Sequence, residues 1–401
     1  MVRKNSCLTK NRAHVVLINT WAVINARGGA EKIFASMANA LVARGFEVTA
    51  ICCEPKKGEP GYFFDPAVRF INAYREPNFS FIYRAPWRNL FCYRITKAAR
   101  KCAREIFDDG WKRNSIKHVL SYIPPADVIV SFQMGTTHVL RQLRVTAPVV
   151  TMLHSPPVYY AKQASFSIYR ESVDSCSVLQ VLLPEFEDQA RKEFPHVPIV
   201  TIPNVVQQFK EASNCKSQKI ICLARLESGK RPELLVEAFS LLHKRFPDWI
   251  CEWWGDHTSL NTKTRITSLI RKYGLEKNFL LPGTTSNVEP VLQSASLFAF
   301  PSRSEGFGLA LAEAFSAGLP AVGCKDCMGV NSLIRDGANG FLTDPTPEAF
   351  ASGLARLMEN EELRKKFGKV GRDEMKFYSA EQVWSSWENL LVSESQRKQS
   401  Y

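Results

Sequence analysis

The chain has no apolar run of the roughly 18 residues that a bilayer span requires, which speaks against a transmembrane helix. The amino terminus carries basic residues, but Val15-Val16-Leu17-Ile18 gives way at once to Asn19 and Thr20. That is the start of a strand and not the core of a signal peptide, so a cytosolic protein is expected. No Gly-x-Gly-x-x-Gly follows the first predicted strand and there is no Walker loop, which argues against dinucleotide oxidoreductases and P-loop enzymes. No Asp-x-Asp pair sits in a loop suited to a metal. The pair Cys324-Lys325-Asp326-Cys327 has redox or zinc spacing, yet no second pair or histidine cluster completes a site. The 11 cysteines are otherwise scattered, mostly in apolar runs such as those of Cys52, Cys222 and Cys251, and read as reduced core thiols. Acidic charge is scarce in the first half. Residues 1–205 hold 27 Lys+Arg against 16 Asp+Glu, +11 of the total +13, whereas the remainder holds 25 against 23. The first half therefore favours an anionic partner: a membrane surface, a nucleic acid or a phosphorylated acceptor.

What is present is ordinary for a globular protein, with 45% apolar and 23% charged residues. A length of 401 residues calls for two domains. Short apolar runs alternate with helical patterns throughout, the pattern of parallel α/β sheets. In the first half the runs are His14–Asn19, Phe46–Cys52, Asp127–Phe132, Pro148–Leu153, Ser177–Leu183 and Pro198–Ile202. A polar linker follows Pro203-Asn204-Val205. A second series opens at Lys219–Ala224 and continues through Trp249–Trp254, Phe279–Leu281, Ser296–Phe300, Ala321–Gly323 and Gly340–Leu342. A helix is expected to begin at Asn331–Asp336, and residues 347–377 and 380–396 read as helical. The expected division is an amino-terminal domain over 1–205, a second domain over 206–378, and a carboxyl-terminal helix and tail over 379–401 that packs back on the first domain. Residues 76–117 mix aromatics with Arg84, Arg88, Arg94, Lys97, Arg100, Lys101 and Arg104. An amphipathic helix from Trp87 to Phe107 with a basic face would suit a membrane interface, an acceptor, or simply a solvated surface.

The most informative stretch is 294–324. A buried strand leads into Pro301-Ser302-Arg303-Ser304-Glu305-Gly306-Phe307-Gly308, and a strong helix former follows, stopped by Gly318 and Pro320. Glu313 is the single charge on a helix that is apolar all round. Such a helix is buried, and a buried carboxylate must find hydrogen-bond donors, for which sugar or ribose hydroxyls are suited. Glu305 lies in the loop at the strand's carboxyl end, where open α/β sheets bind ligands. Gly306 and Gly308 allow close approach of backbone N–H groups to a ligand, and the following helix N-terminus favours an anion. Nearer the start, Gly28-Gly29 between a strand and a helix permits a similar approach, although many α/β turns need glycine. His154 ends a buried strand on the ligand side of its sheet, a position equally open to an ordinary core histidine.

Glu305 and Glu313 with seven residues between them, Pro301-Ser302 before and Gly306-Phe307-Gly308 after, resemble the signature of the retaining glycosyltransferases of family 4. Gly28-Gly29-Ala30-Glu31, His154, Pro203-Asn204, Arg225 with Lys230, and Asp336-Gly337-x-x-Gly340 fall in the same family's order. The resemblance covers most of the chain and is strongest over 219–345. It implies a glycosyltransferase-B fold: α/β, two Rossmann-like domains facing a central cleft. It implies transfer of a hexose, with retention, from a UDP- or GDP-linked donor to a lipid-linked or glycan acceptor in polysaccharide or glycolipid biosynthesis. No metal and no other cofactor is implied. Arg225 and Lys230 would neutralise the leaving diphosphate. Glu305, with the backbone of Gly306, Phe307 and Gly308, would hold the transferred sugar, and Glu313 the ribose. Gly29 would approach the diphosphate or acceptor, and His154 would face the sugar near the reacting carbon. The chain departs from the pattern at Ala224, where the family commonly has Gly, and at Asn331, where a Glu often stands. A cytosolic enzyme with peripheral contact to an anionic membrane and no nucleic acid follows as the expectation. The rival readings are a sugar-nucleotide epimerase or hydrolase on the same fold, and a basic nucleic-acid-binding protein.

Overall fold

The structure is a computed structural model that describes residues 13–26, 28–75, 110–163, 165–257 and 259–398. The basic aromatic segment singled out above lies outside the described residues from 76 to 109. Two compact units are formed, 1–202 with 384–401, and 203–383.

In the first unit seven strands pair in the order β3 (Arg69–Asn72), β2 (Glu47–Cys52), β1 (His14–Asn19), β4 (Val128–Ser131), β5 (Val149–Met152), β6 (Val178–Val181) and β7 (Ile199–Thr201). Every pairing is parallel, with registers such as Leu17 opposite Ala50 on one side and Val130 on the other. All six residues of β1 are buried, as a strand covered on both faces demands. One core joins Val16, Ile18, Ile51 and Ile129 to the helix Met134–Gln142 through Val139 and Leu140. The helix Ala380–Lys398 contributes Trp387 and Leu391, both buried, and its residues from Trp384 onward belong to this unit.

The second unit holds six parallel strands in the order β10 (Phe279–Gly283), β9 (Ile250–Trp254), β8 (Lys219–Leu223), β11 (Leu297–Phe300), β12 (Ala321–Cys324) and β13 (Gly340–Thr343). Its core gathers Ile220, Cys222, Trp253, Leu297 and Ala299 with the helices Pro232–Leu242 and Pro347–Met358. The expected helix at Asn331–Asp336 is corrected to Met328–Leu333. In both sheets the order reverses beside the first strand, between β1 and β4 and between β8 and β11. The crevice at such a reversal, at the strands' carboxyl ends, is where open α/β sheets take ligands.

The helix Leu309–Ser316, which carries Glu313, is backed by the helix Glu361–Met375. Close approach rests on two glycines: a Cβ at Gly368 would lie 1.9 Å from the Gly318 carbonyl oxygen, and one at Gly371 would lie 2.6 Å from a Phe315 ring carbon. Backbone oxygen cannot yield as a side chain can. Gly368→Ala should therefore destabilise the second unit by about 1–3 kcal/mol, the usual cost of overpacking, seen as a lowered melting temperature. Gly110→Ala, where nothing among the described residues lies within 4 Å, is the control and should leave it unchanged.

Candidate functional site

The loops after β8 and β11 meet at the reversal point of the second sheet. After β8 the chain passes tightly over Gly255, at which a Cβ would stand 1.9 Å from the Ala224 carbonyl oxygen. That carbonyl accepts from the Trp253 indole N–H at 2.8 Å, and the Leu226 N–H donates to Asp256 O at 2.7 Å. A short turn over Ser228–Lys230 ends at Arg231, whose φ of 51° is left-handed. The strained residue is gripped by its own side chain: the guanidinium meets Asp326 in a bidentate pair at 2.8 and 2.5 Å. The hydrogen bonds from Arg231 hold the Asp326 carboxyl below its ordinary range, and the same bonds raise the guanidinium. The two loops are sewn together where the Arg303 N–H donates to Gly229 O at 2.9 Å.

This framework places Lys230 Nζ 2.7 Å from Glu305 Oε1, with both side chains largely withdrawn from water, 17% and 14% exposed. Arg225 stands on the same loop but points outward, its guanidinium 68% exposed and 3.1 Å from Glu227. Ser302 is fully buried, and its hydroxyl has no partner. Gly308 takes a φ of 81° and begins the helix of Glu313, whose carboxylate-bearing residue is buried as the pattern of that helix requires. Phe307 packs inward 5.4 Å from the Tyr378 ring, so it presents its backbone and not its side chain. Gly306 follows Glu305 in the bend of the loop. The helix Met328–Leu333 comes so near that a Cβ at Gly329 would lie 2.8 Å from Glu305 O.

In the first unit His154 follows β5, its ring stacked on Phe132 at 5.5 Å and 26° and tilted against Trp21 at 6.3 Å. Its Nε2 is buried with no hydrogen-bond partner. Burial lowers the imidazole pKa to about 4, against a smaller opposing pull from a hydrogen bond to the Phe132 backbone. His154 is therefore neutral at pH 7. Gly29 opens the helix Gly29–Ala43, with Gly28 extended before it.

The sequence-derived set divides accordingly. Lys230 and Glu305 touch, Arg225 shares the loop, and Gly308 and Glu313 follow on one helix. His154 and Gly29 stand in the other unit. Reading by sequence gave no role to Arg231, Asp326, Gly255 and Gly329, and took Ser302 only as part of the Pro301-Ser302 pair. Asp326 stood out only as filler between two cysteines. Those cysteines are free and buried, and burial raises both thiols to about 12, which leaves them inert. Among the described residues no group of three or more His, Cys, Asp or Glu is placed to hold a metal ion, and no helix is long and apolar enough to cross a membrane.

The neutral histidine has a measurable consequence. Between about pH 4 and 6.5 the unfolded chain binds a proton at residue 154 that the folded chain does not. Stability should rise with pH through that window and level off above it, by roughly 3 kcal/mol in all. His154→Gln should flatten that slope in urea-midpoint measurements, and imidazole NMR should give a midpoint near 4. A midpoint near 6.5 would refute the burial argument.

Comparison with known proteins bears on this site. Residues 206–374 match the family model of glycosyl transferases group 1. An exopolysaccharide phosphotransferase of Streptomyces coelicolor is 29% identical over 197 residues, 48% of this chain but 21% of that protein. A Haemophilus influenzae protein described as an uncharacterized glycosyltransferase is 23% identical over 372 residues, 92% of this chain and 97% of its own. The structure of the pneumococcal O-GlcNAc transferase GtfA in complex with UDP and GlcNAc superimposes with a TM-score of 0.74 at 16% identity, covering 96% of this chain and 99% of that one. Residues 206–374, which match the glycosyl transferases group 1, include Arg225, Lys230, Glu305 and Glu313, and the chain has the glycosyltransferase-B fold.

Proposed function

We propose that the protein is a retaining glycosyltransferase that moves a hexose from a UDP- or GDP-linked donor to a lipid-linked or glycan acceptor. The observation that carries the reading is the contact of Lys230 with Glu305 at 2.7 Å, made across 75 residues of sequence at the reversal point of a group 1 segment. The presence of UDP in a relative of the same fold favours UDP as the base to test first. Residues 1–205, with their net +11, are assigned to the acceptor side, and the segment around Arg88, Arg94 and Lys97 to contact with an anionic membrane surface on the cytoplasmic face.

In this reading the donor's diphosphate lies at the Arg225–Lys230 loop. An acceptor hydroxyl attacks the anomeric carbon on the face from which the diphosphate departs. The carbon–oxygen bond to the phosphate breaks, and the hydroxyl's proton passes to the leaving phosphate oxygen. Negative charge grows on that phosphate, and the two cations stabilise it without reorganising. Glu305 does two things from one position: Oε1 fixes the Lys230 ammonium, and the loop beyond it offers backbone N–H groups to sugar hydroxyls. Glu313 takes the ribose hydroxyls. Glu305 lies in a loop and Glu313 within a helix, so they do not form the facing carboxylate pair of a glycosidase.

The direct test is thermal stabilisation of the full chain by UDP, GDP and their sugars. A ligand bound only by the folded protein raises the melting temperature, by an amount equivalent to about 2.7 kcal/mol at a hundredfold excess over Kd. One diphosphate nucleotide should give a shift, and Arg225→Ala and Glu313→Ala should each abolish most of it. No shift with any diphosphate nucleotide would refute the donor assignment.

A further inference from the structure

One side chain at the reversal point of the first sheet has no part in the scheme above. Trp21 follows β1, and among the described tryptophans it alone is largely exposed, at 47%. Its loop is not a loose one. The Thr20 N–H donates to Gln133 Oε1 at 2.8 Å, and the Trp21 N–H donates to Asn19 Oδ1 at 3.0 Å. The Glu54 carboxylate, itself buried, accepts from the N–H groups of both Val23 and Ile24. Further along, Asn25 N–H donates to Glu59 O at 2.9 Å and Gly61 N–H to Val23 O at 3.0 Å. Val23 and Ile24 are each 2% exposed and anchor the loop in the interior. The indole is therefore not required to hold the loop down. It is instead held out by it, in a fixed position.

The surroundings point to a ligand independently of the exposed ring. Two polar atoms beside Trp21 are buried without a partner: Nε2 of His154, whose ring lies 6.3 Å from the indole, and Nδ2 of Asn19, whose Oδ1 accepts the Trp21 N–H. The first atom is an acceptor, because the ring is neutral and its hydrogen bond to the Phe132 backbone places the proton on the other nitrogen. The second is a donor. Buried polar groups left unmatched call for an explanation, and a hydroxyl, which both donates and accepts, suits either of them. A rigid aromatic face offers apolar contact at little entropic cost. A flat apolar face bordered by hydroxyls describes a pyranose ring. A bare phosphate has hydroxyl character but no such face.

We infer that Trp21 is the aromatic platform of an acceptor subsite in the first unit, and that the acceptor presents a pyranose ring to it. The inference rests on the transferase reading, and the experiment separates the two. The full chain is titrated with methyl α- and β-glucopyranoside, methyl N-acetyl-β-glucosaminide and glycerol 3-phosphate, read by saturation-transfer NMR with and without UDP. At least one methyl glycoside should bind, and the indole should supply most of its affinity. Trp21→Ala and Trp21→Leu should weaken it about tenfold and Trp21→Phe by less than about threefold, consistent with loss or retention of an aromatic face. The Leu variant keeps the apolar bulk, so equal binding by Leu and wild type would overturn the platform. So would binding of glycerol 3-phosphate alone, or of no methyl glycoside. Melting temperatures of the variants within two or three degrees of wild type, as is usual for substitutions at an exposed position, establish that they are folded. A nucleotide-induced melting shift that survives in Trp21→Ala leaves the donor reading standing whatever the glycosides do; its absence in wild type overturns that reading alone.

Discussion

Parallel pairing is the constraint on which both units depend. A parallel strand cannot return by a tight turn, so each crossover lays a helix or a long loop over the sheet, and both faces leave water. This is why β1 and β11 are buried end to end. The same constraint sends every strand out at one end of its sheet. Side chains that meet a ligand come from that end of the sheet, from strand ends, loops and the helix starts that follow them, at the crevice made by the reversal of strand order. Lys230 and Glu305, Trp21 and Phe132 stand at those two places.

The same physics explains what could be read from the sequence. Runs such as Val15–Ile18 and Leu297–Phe300 were legible because full burial leaves no polar residue in them. Glu313 was legible because a lone charge on an apolar helix contradicts its surroundings. β3 escaped, since Arg69-Phe70-Ile71-Asn72 lies at the sheet's edge, where exposure breaks the apolar run. The helix Met328–Leu333 was placed three residues late because Gly329 is a poor helix former; the glycine is there to let the helix reach the Glu305 backbone. The ion pair of Arg231 with Asp326 had no signal at all. It joins residues 95 apart, and neither lies on a periodic face.

Unsatisfied buried polar atoms occur both in the scaffold, at Ser115, Gln180 and His243, and at the ligand-side ends of the strands. In the interior of a folded protein nearly every polar group is matched, and an orphan costs on the order of 1–3 kcal/mol. Buried Arg364 shows the scaffold's solution, with its guanidinium donating to the carbonyls of Cys215, Leu357 and Met358. Ser302, His154 and Asn19 each lack such a match for one atom, and each lies at or just beyond the carboxyl end of a strand at or next to a reversal point.

Charge in the loop after β8 argues for a division of labour between adjacent cations. Arg231 is fully engaged: both its terminal nitrogens are committed to one carboxylate, and its backbone is held left-handed by the turn it closes. Turning it toward a phosphate would leave Asp326 unpaired and release the strain that sets the turn. Lys230, one residue earlier, spends a single contact on Glu305, and an ammonium has three protons to give. Arg225 is exposed, and its contact with Glu227 is of the surface kind, worth little to break. Three cations within seven residues thus differ in what they are free to do. The one with the best geometry is the least free to turn to a ligand, because it builds the loop on which the other two stand.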